Sequence, residues 1–174
     1  MITNYENIKR ILNELSISFD EIDHEISHSC DESKKFREEQ WLVWLGSKNI
    51  VFHCKWSFYL VVTHWDKQIK ARNFKKEFWS KDIRFANQEE ISPILDAVIW
   101  SIPPFGFLNA DIKIFIDSEI IRHEHFIFNP SIPTKSIRIP SSELSRIYSS
   151  LRNEIRYFIH EGDEFEILDS SDIS

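Results

Sequence analysis

Apolar residues at Ile8, Ile11, Leu12 and Leu15 recur at helical spacing behind Thr3 and Asn4, either of which supplies an N-cap. The pattern predicts a helix from Asn4 to Leu15. Ile17, Phe19, Ile22 and His24 then approach an alternating pattern, and Ile17–Ile26 reads as a strand. Ser29 with Glu32 three residues later forms a capping box, which predicts a second helix over Asp31–Glu39. Trp41–Val62 carries the strongest β signal. Gly46-Ser47 interrupts it, and the runs Asn49–Lys55 and Ser57–Val62 are expected to pair as a hairpin through Lys55-Trp56-Ser57.

The second half alternates more often between the two periodicities. Ala71–Trp79 reads as a basic amphipathic helix with Phe74 and Phe78 four apart. Ile83–Phe85 is a short strand, and Ile91–Trp100 an apolar helix with Pro93 in its first turn. Pro103 and Pro104 fix φ and remove two donors, so helix and ladder both stop there, in a stiff turn that ends at Gly106. Asp111–Asp117 alternates through Ile112, Ile114 and Ile116, and Ile120–Phe128 is read as a further strand. Phe128–Pro133 is a second rigid turn, Lys135–Ile139 a strand, Ser141 to about Glu154 a helix, and Arg156–His160 a short strand. Helices interspersed among such strands imply an α/β fold with a mixed sheet, not a doubly wound parallel one.

Composition narrows the class. The 174 residues are 42% hydrophobic and 28% charged, which is globular, and most simply one domain over residues 1–160. Six of the 28 acids fall in Glu161–Ser174, which has no base and reads as an acidic C-terminal tail. The rest is nearly balanced, with 22 acids against 21 bases. Within it, Lys67, Lys70, Arg72, Lys75 and Lys76 form a local cationic segment able to meet a phosphate backbone. No apolar run reaches the roughly 18 residues of a membrane helix, and the polar start does not resemble a signal peptide. Cys30 and Cys54 lack metal spacing and read as free thiols, so a reducing, cytoplasmic setting is expected. His24 with His28, and His123 with His125, have ligand-like spacing but no third ligand at a fixed offset, so no metal or other cofactor is expected.

Several segments resemble the YbaK / prolyl-tRNA-synthetase-associated editing domains in both order and spacing. His24 followed by Ser29-Cys30-Asp31-Glu32-Ser33 is similar to the family's opening motif. Lys48-Asn49-Ile50-Val51-Phe52 resembles its lysine-bearing strand, and Ile83–Glu90 its Arg-Phe-Ala segment. Ser101-Ile102-Pro103-Pro104-Phe105-Gly106 resembles its pocket loop, and Phe128-Asn129 with Ser136-Ile137-Arg138 its late segment. The chain departs from the pattern where Asp96, Trp100 and Ser131 fall on family glycines.

The resemblance implies a partly barrel-like mixed sheet with surrounding helices, and hydrolysis of a mischarged aminoacyl-tRNA carrying a small amino acid. It implies Lys48 as the functional cation and backbone donors around Trp100, Ser101 and Ile102. Asn49 and Asn129 would orient the substrate beside Pro104, Phe105, Gly106, His24 and Ser29. Trp100, Phe105 and Ile26 would set the pocket's size. No protein nucleophile is required. The alternative is a relative that binds tRNA or an aminoacyl-tRNA synthetase without turnover.

Overall fold

The computed structural model describes residues 1–26 and 45–169, with the side chain of Leu45 excluded. The expected helix at Asp31–Glu39, along with His28, Ser29, Cys30 and Arg37, lies outside the described residues.

Helix α1 spans Asn4–Glu14. Its capping box is complete: Thr3 Oγ1 accepts from the Glu6 N–H, and Glu6 Oε2 accepts from the Thr3 N–H. The strands are β1 Asp20–Asp23, β2 Leu45–Cys54, β3 Ser57–His64, β4 Ile83–Phe85, β5 Lys113–Asp117, β6 His125–Phe128, β7 Lys135–Pro140, β8 Ile155–Glu161 and β9 Glu164–Leu168. They form one mixed sheet in the order β1-β7-β6-β2-β3-β5-β8-β9, with β4 also paired to β2. β2–β3 is the expected antiparallel hairpin, with Lys48 opposite Thr63. β3, β5 and β8 run parallel, so His64, Asp117 and Glu161 end three adjacent strands on one edge of the sheet. The mixed α/β architecture expected from the sequence is therefore present.

Alternation sorts the strand residues onto two faces. Val51, Leu60, Val62, Ile114 and Ile116 join the main core with Ile8, Leu12, Phe105, Phe126, Phe128 and Tyr148. Phe52, Cys54, Val61, Phe115 and Phe158 build a second core on the other face with Phe74 and Phe78. Each fully buried side chain of this size contributes about 1.5–3 kcal/mol.

Several local expectations are revised. Gly46-Ser47 does not interrupt β2, which runs through them. Ala71–Trp79 is not an α-helix: a 3-10 turn covers Ala71–Phe74, and Trp79 turns the chain with φ +50°. Phe74 and Phe78 are still buried, with ring centroids 5.7 Å apart, so the spacing marked a core contact and not a regular helix. The apolar helix starts and ends earlier than expected: α2 is Gln88–Leu95, capped by Asn87, and a 3-10 turn follows at Ile99–Ser101. Only His125–Phe128 of Ile120–Phe128 is strand. Asp117 Oδ1 accepts from the Glu119 N–H and starts a 3-10 turn over Ser118–Arg122. The last helix, α3, is Leu144–Ser150, and the acidic segment from Glu161 includes β9, antiparallel to β8.

Candidate functional site

The stiff turn after α2 is fixed from every side. Gln88 Oε1 accepts from the Ile99 N–H at 2.7 Å, and the Ser101 N–H donates to Val98 O at 2.9 Å. The Asn49 amide donates to Ile102 O at 2.8 Å and to Ser47 Oγ at 3.2 Å. Ser101 Oγ donates to Asn129 Oδ1 at 2.5 Å, joining the turn to the end of β6. Tyr148 of α3 donates from its hydroxyl to Pro104 O, and burial pushes that phenol well above its ordinary range. Asn7 of α1 donates to Gly106 O at 2.7 Å. A side chain at Gly106 would bring Cβ to 2.3 Å from Ile8 Cγ1, and its φ of +92° suits glycine alone. The sequence singled out this turn, and the structure makes it a rigid one, with residues 101–107 all buried.

The structure brings Asn49, Ser101, Ile102 and Asn129 together. Asn49 must present its nitrogen to Ile102 O, since a carbonyl only accepts. Its Oδ1 is then buried with no partner among the described residues. The Ser101 N–H is committed, whereas no acceptor among the described residues is paired with the Ile102 N–H. Phe105, at 0% exposure, packs against Phe128 and Tyr148 and anchors the turn from beneath. Pro104 and Gly106 are buried and serve the same anchoring through their carbonyls. Trp100 and Ile26 are exposed. His24 lies at the end of β1, with Nε2 3.0 Å from Ser136 Oγ and Nδ1 2.7 Å from Glu25 O.

Lys48 is adjacent to Asn49 but leaves β2 on the opposite face, the one it shares with Thr63. Its ammonium donates to Lys67 O at 3.0 Å. Lys67 itself is not available to an external phosphate. Its ammonium lies 2.7 Å from Asp117 Oδ2 and 2.6 Å from Glu119 Oε2. Burial pulls its pKa down, but the two carboxylates outweigh this and hold it above the ordinary lysine value. Arg72, Lys75 and Lys76 are exposed and Lys70 half-buried. Sequence reasoning missed the cluster around Lys67. The signal available was a histidine closing one β-rich run and an Asp-x-Glu pair closing another.

The residues at the family glycine positions have a clear arrangement. Asp96 takes the left-handed conformation at φ +50°, ψ +46°, and Ser131 has φ +68°. Asn4 of α1 reaches both. Its Nδ2 donates to Leu95 O at 2.6 Å, Asp96 O at 3.2 Å and Ser131 Oγ at 3.2 Å, and Ser131 Oγ donates to Asp96 O at 3.3 Å. Asp96 and Ser131 thus keep a glycine-type backbone, and a buried asparagine ties them together. Trp100 instead has an ordinary backbone within its 3-10 turn.

A mixed sheet with a proline turn fixed against strand β2 and the end of β6 defines an α/β domain whose candidate site lies at that turn. The chain belongs to the aminoacyl-tRNA editing domain family, whose model matches residues 33–147. Among solved structures it resembles a candidate trans-editing enzyme for prolyl tRNA synthetase at 14% identity and TM-score 0.70, over 89% of this chain and 96% of that one. It also resembles the hypothetical protein APE2540 at 13% identity and TM-score 0.70, over 86% and 97% of the two chains. At this identity both likenesses speak to the fold alone. A comparison with curated protein sequences gives no significant match. No described helix is long and apolar enough to cross a membrane.

Proposed function

We propose that the protein is an aminoacyl-tRNA deacylase that removes a small, wrongly attached amino acid from the 3′ end of a tRNA. The observation that carries this is the unpartnered, buried Asn49 Oδ1 beside the turn whose Ile102 N–H has no paired acceptor. One acceptor and one donor, on a strand and a turn joined by the Asn49–Ile102 hydrogen bond, suit an aminoacyl ester. The acceptor takes a hydroxyl or ammonium hydrogen of the substrate. The donor faces the carbonyl oxygen as charge develops on it, a contact worth roughly 3–4 kcal/mol in the transition state. Water attacks the carbonyl carbon and gives up a proton, the acyl–oxygen bond breaks, and the ribose oxygen takes a proton as it leaves, releasing the free amino acid.

Lys48 is assigned the phosphate of the terminal nucleotide and not the carbonyl, because its ammonium lies on the other face of β2 from Asn49. Exposed Arg72, Lys75 and Lys76 are assigned to the tRNA backbone. Turnover is favoured over binding alone by Asp96 and Ser131, whose backbones retain the conformation that glycine would supply. The experiment is deacylation of Ala-, Ser-, Thr- and Cys-tRNA by the purified chain. Ester loss above buffer is expected for at least one of them. Lys48→Ala is expected to raise KM more than it lowers kcat, and Asn49→Ala to lower kcat. Retention of tRNA with no ester loss would overturn the proposal in favour of a binding protein.

A further inference from the structure

The parallel strands β3, β5 and β8 end side by side, and ligands of open α/β sheets are held at such carboxyl ends. A cavity of about 380 Å³ opens there, lined by His64, Lys67, Lys70, Glu119 and His160 among others. Asp117, fully buried, lies at its base. Thr63 Oγ1 donates to Asp117 Oδ2 at 2.7 Å, while Asp117 Oδ1 accepts the Glu119 N–H at 3.0 Å. Both bonds fix where the Asp117 carboxylate sits, and the second brings Glu119 beside it.

Donor atoms of His64, Asp117 and Glu119 all lie within 4.8 Å of one another. His64 is 8% exposed, and neither ring nitrogen has a hydrogen bond. Its Nε2 is 3.5 Å from Glu119 Oε2, outside hydrogen-bond geometry. A buried imidazole whose ring nitrogens make no hydrogen bond, beside a fixed Asp117 carboxylate and within ion-pair distance of Glu119, is an incomplete arrangement. Lys67 fills its centre. The Lys67 ammonium lies 2.6–2.7 Å from an oxygen of each carboxylate, against about 2.0–2.2 Å for a zinc–oxygen bond. The two carboxylates share one ammonium, where a divalent ion would match both of their charges.

We propose that His64, Asp117 and Glu119 form a site for a divalent transition-metal ion, with the ammonium of Lys67 as its built-in competitor. The ion displaces Lys67 into the cavity. It takes one imidazole nitrogen and two carboxylate oxygens, a borderline donor set suited to Zn²⁺ or Co²⁺, and Thr63 orients Asp117 from behind. His160, 8% exposed with Nδ1 unpartnered, lines the open side. The site does not depend on the deacylase proposal.

The test is Zn²⁺ titration of the untagged chain, metal-free at the outset, by calorimetry, with the visible spectrum of bound Co²⁺ as a second readout. One ion per chain is expected. Lys67→Met should bind about tenfold or more tightly than wild type, because the competitor is gone. His64→Gln and Glu119→Gln should each bind about tenfold or more weakly. Lys67→Met also strands Asp117, so its Tm should fall and be restored by Zn²⁺. If that variant does not fold without metal, recovery of folding by Zn²⁺ supports the site equally. No binding up to about 1 mM in either wild type or Lys67→Met would overturn the proposal, as would affinity unchanged in His64→Gln.

Discussion

Asn4→Ala is expected to destabilise the protein by about 3 kcal/mol, although Asn4 lies in the first turn of a helix, where side chains are usually dispensable. Asn4 is 5% exposed, and its amide hydrogens serve three acceptors. Two hydrogens make two good bonds, each worth about 1 kcal/mol net. Leu95 O is a terminal carbonyl of α2 with no helical partner, so truncation leaves it buried and unpaired for a further cost of about 1–2 kcal/mol. For a chain of this size that sum lowers Tm by about 6–12 °C. Asn4→Asp is nearly isosteric but sets a carboxylate against three acceptors, and should cost at least as much as alanine. Urea unfolding followed by far-UV circular dichroism measures both, with an unchanged m-value required for the comparison. The reasoning fails if Asn4→Ala stays within about 0.5 kcal/mol of wild type, or if Asn4→Asp is the milder of the two.

Other substitutions separate strain from contact. Asp96→Gly relieves a left-handed residue worth about 1–2 kcal/mol but frees the unfolded chain by about 0.4–1, so urea midpoints should rise slightly or stay level; a clear fall would refute the strain assignment. Gly106→Ala meets both the positive φ and the 2.3 Å approach to Ile8, and should cost about 3 kcal/mol or more in the same assay. Glu90 is held at a pKa of about 2, first by the Arg84 guanidinium and then by the Asn87 N–H. A depressed carboxylate adds stability above its unfolded pKa of about 4.5 and loses it as pH falls towards 2, so Glu90→Gln should show a shallower acid loss across that window in thermal melts at graded pH. Glu119 is lowered by its hydrogen bond to Lys67 and should behave alike, with Glu119→Gln flattening the curve below about pH 4.5.

The strands were legible wherever local alternation agreed with two-sided burial, as in Ile112–Ile116, or where a turn separated two β-rich runs, as at Lys55-Trp56. Legibility failed where a distant group decided the local structure. Ile120–Phe128 has strand composition, but Asp117 caps Glu119 and winds the first part into a 3-10 turn. Lys67 reads as surface charge until Asp117 and Glu119, some fifty residues on, arrive beside it. The site divided in the same way. The proline turn and Asn129 could be marked from sequence, whereas the opposite faces of Lys48 and Asn49 emerge only from strand register. Phe105 shows a further limit: a motif marks a position without saying whether its side chain faces ligand or core.

The seat of α1 has a consequence for biosynthesis. The helix is translated before Leu95, Asp96, Gly106 and Ser131, the residues that hold it. At ordinary elongation rates that interval is on the order of ten seconds. Throughout it Ile8 and Leu12, fully buried in the finished protein, have nowhere to dock. The nascent segment therefore waits as an unsatisfied apolar stripe. Docking of α1 must follow synthesis of the proline turn, which makes it one of the last steps of maturation.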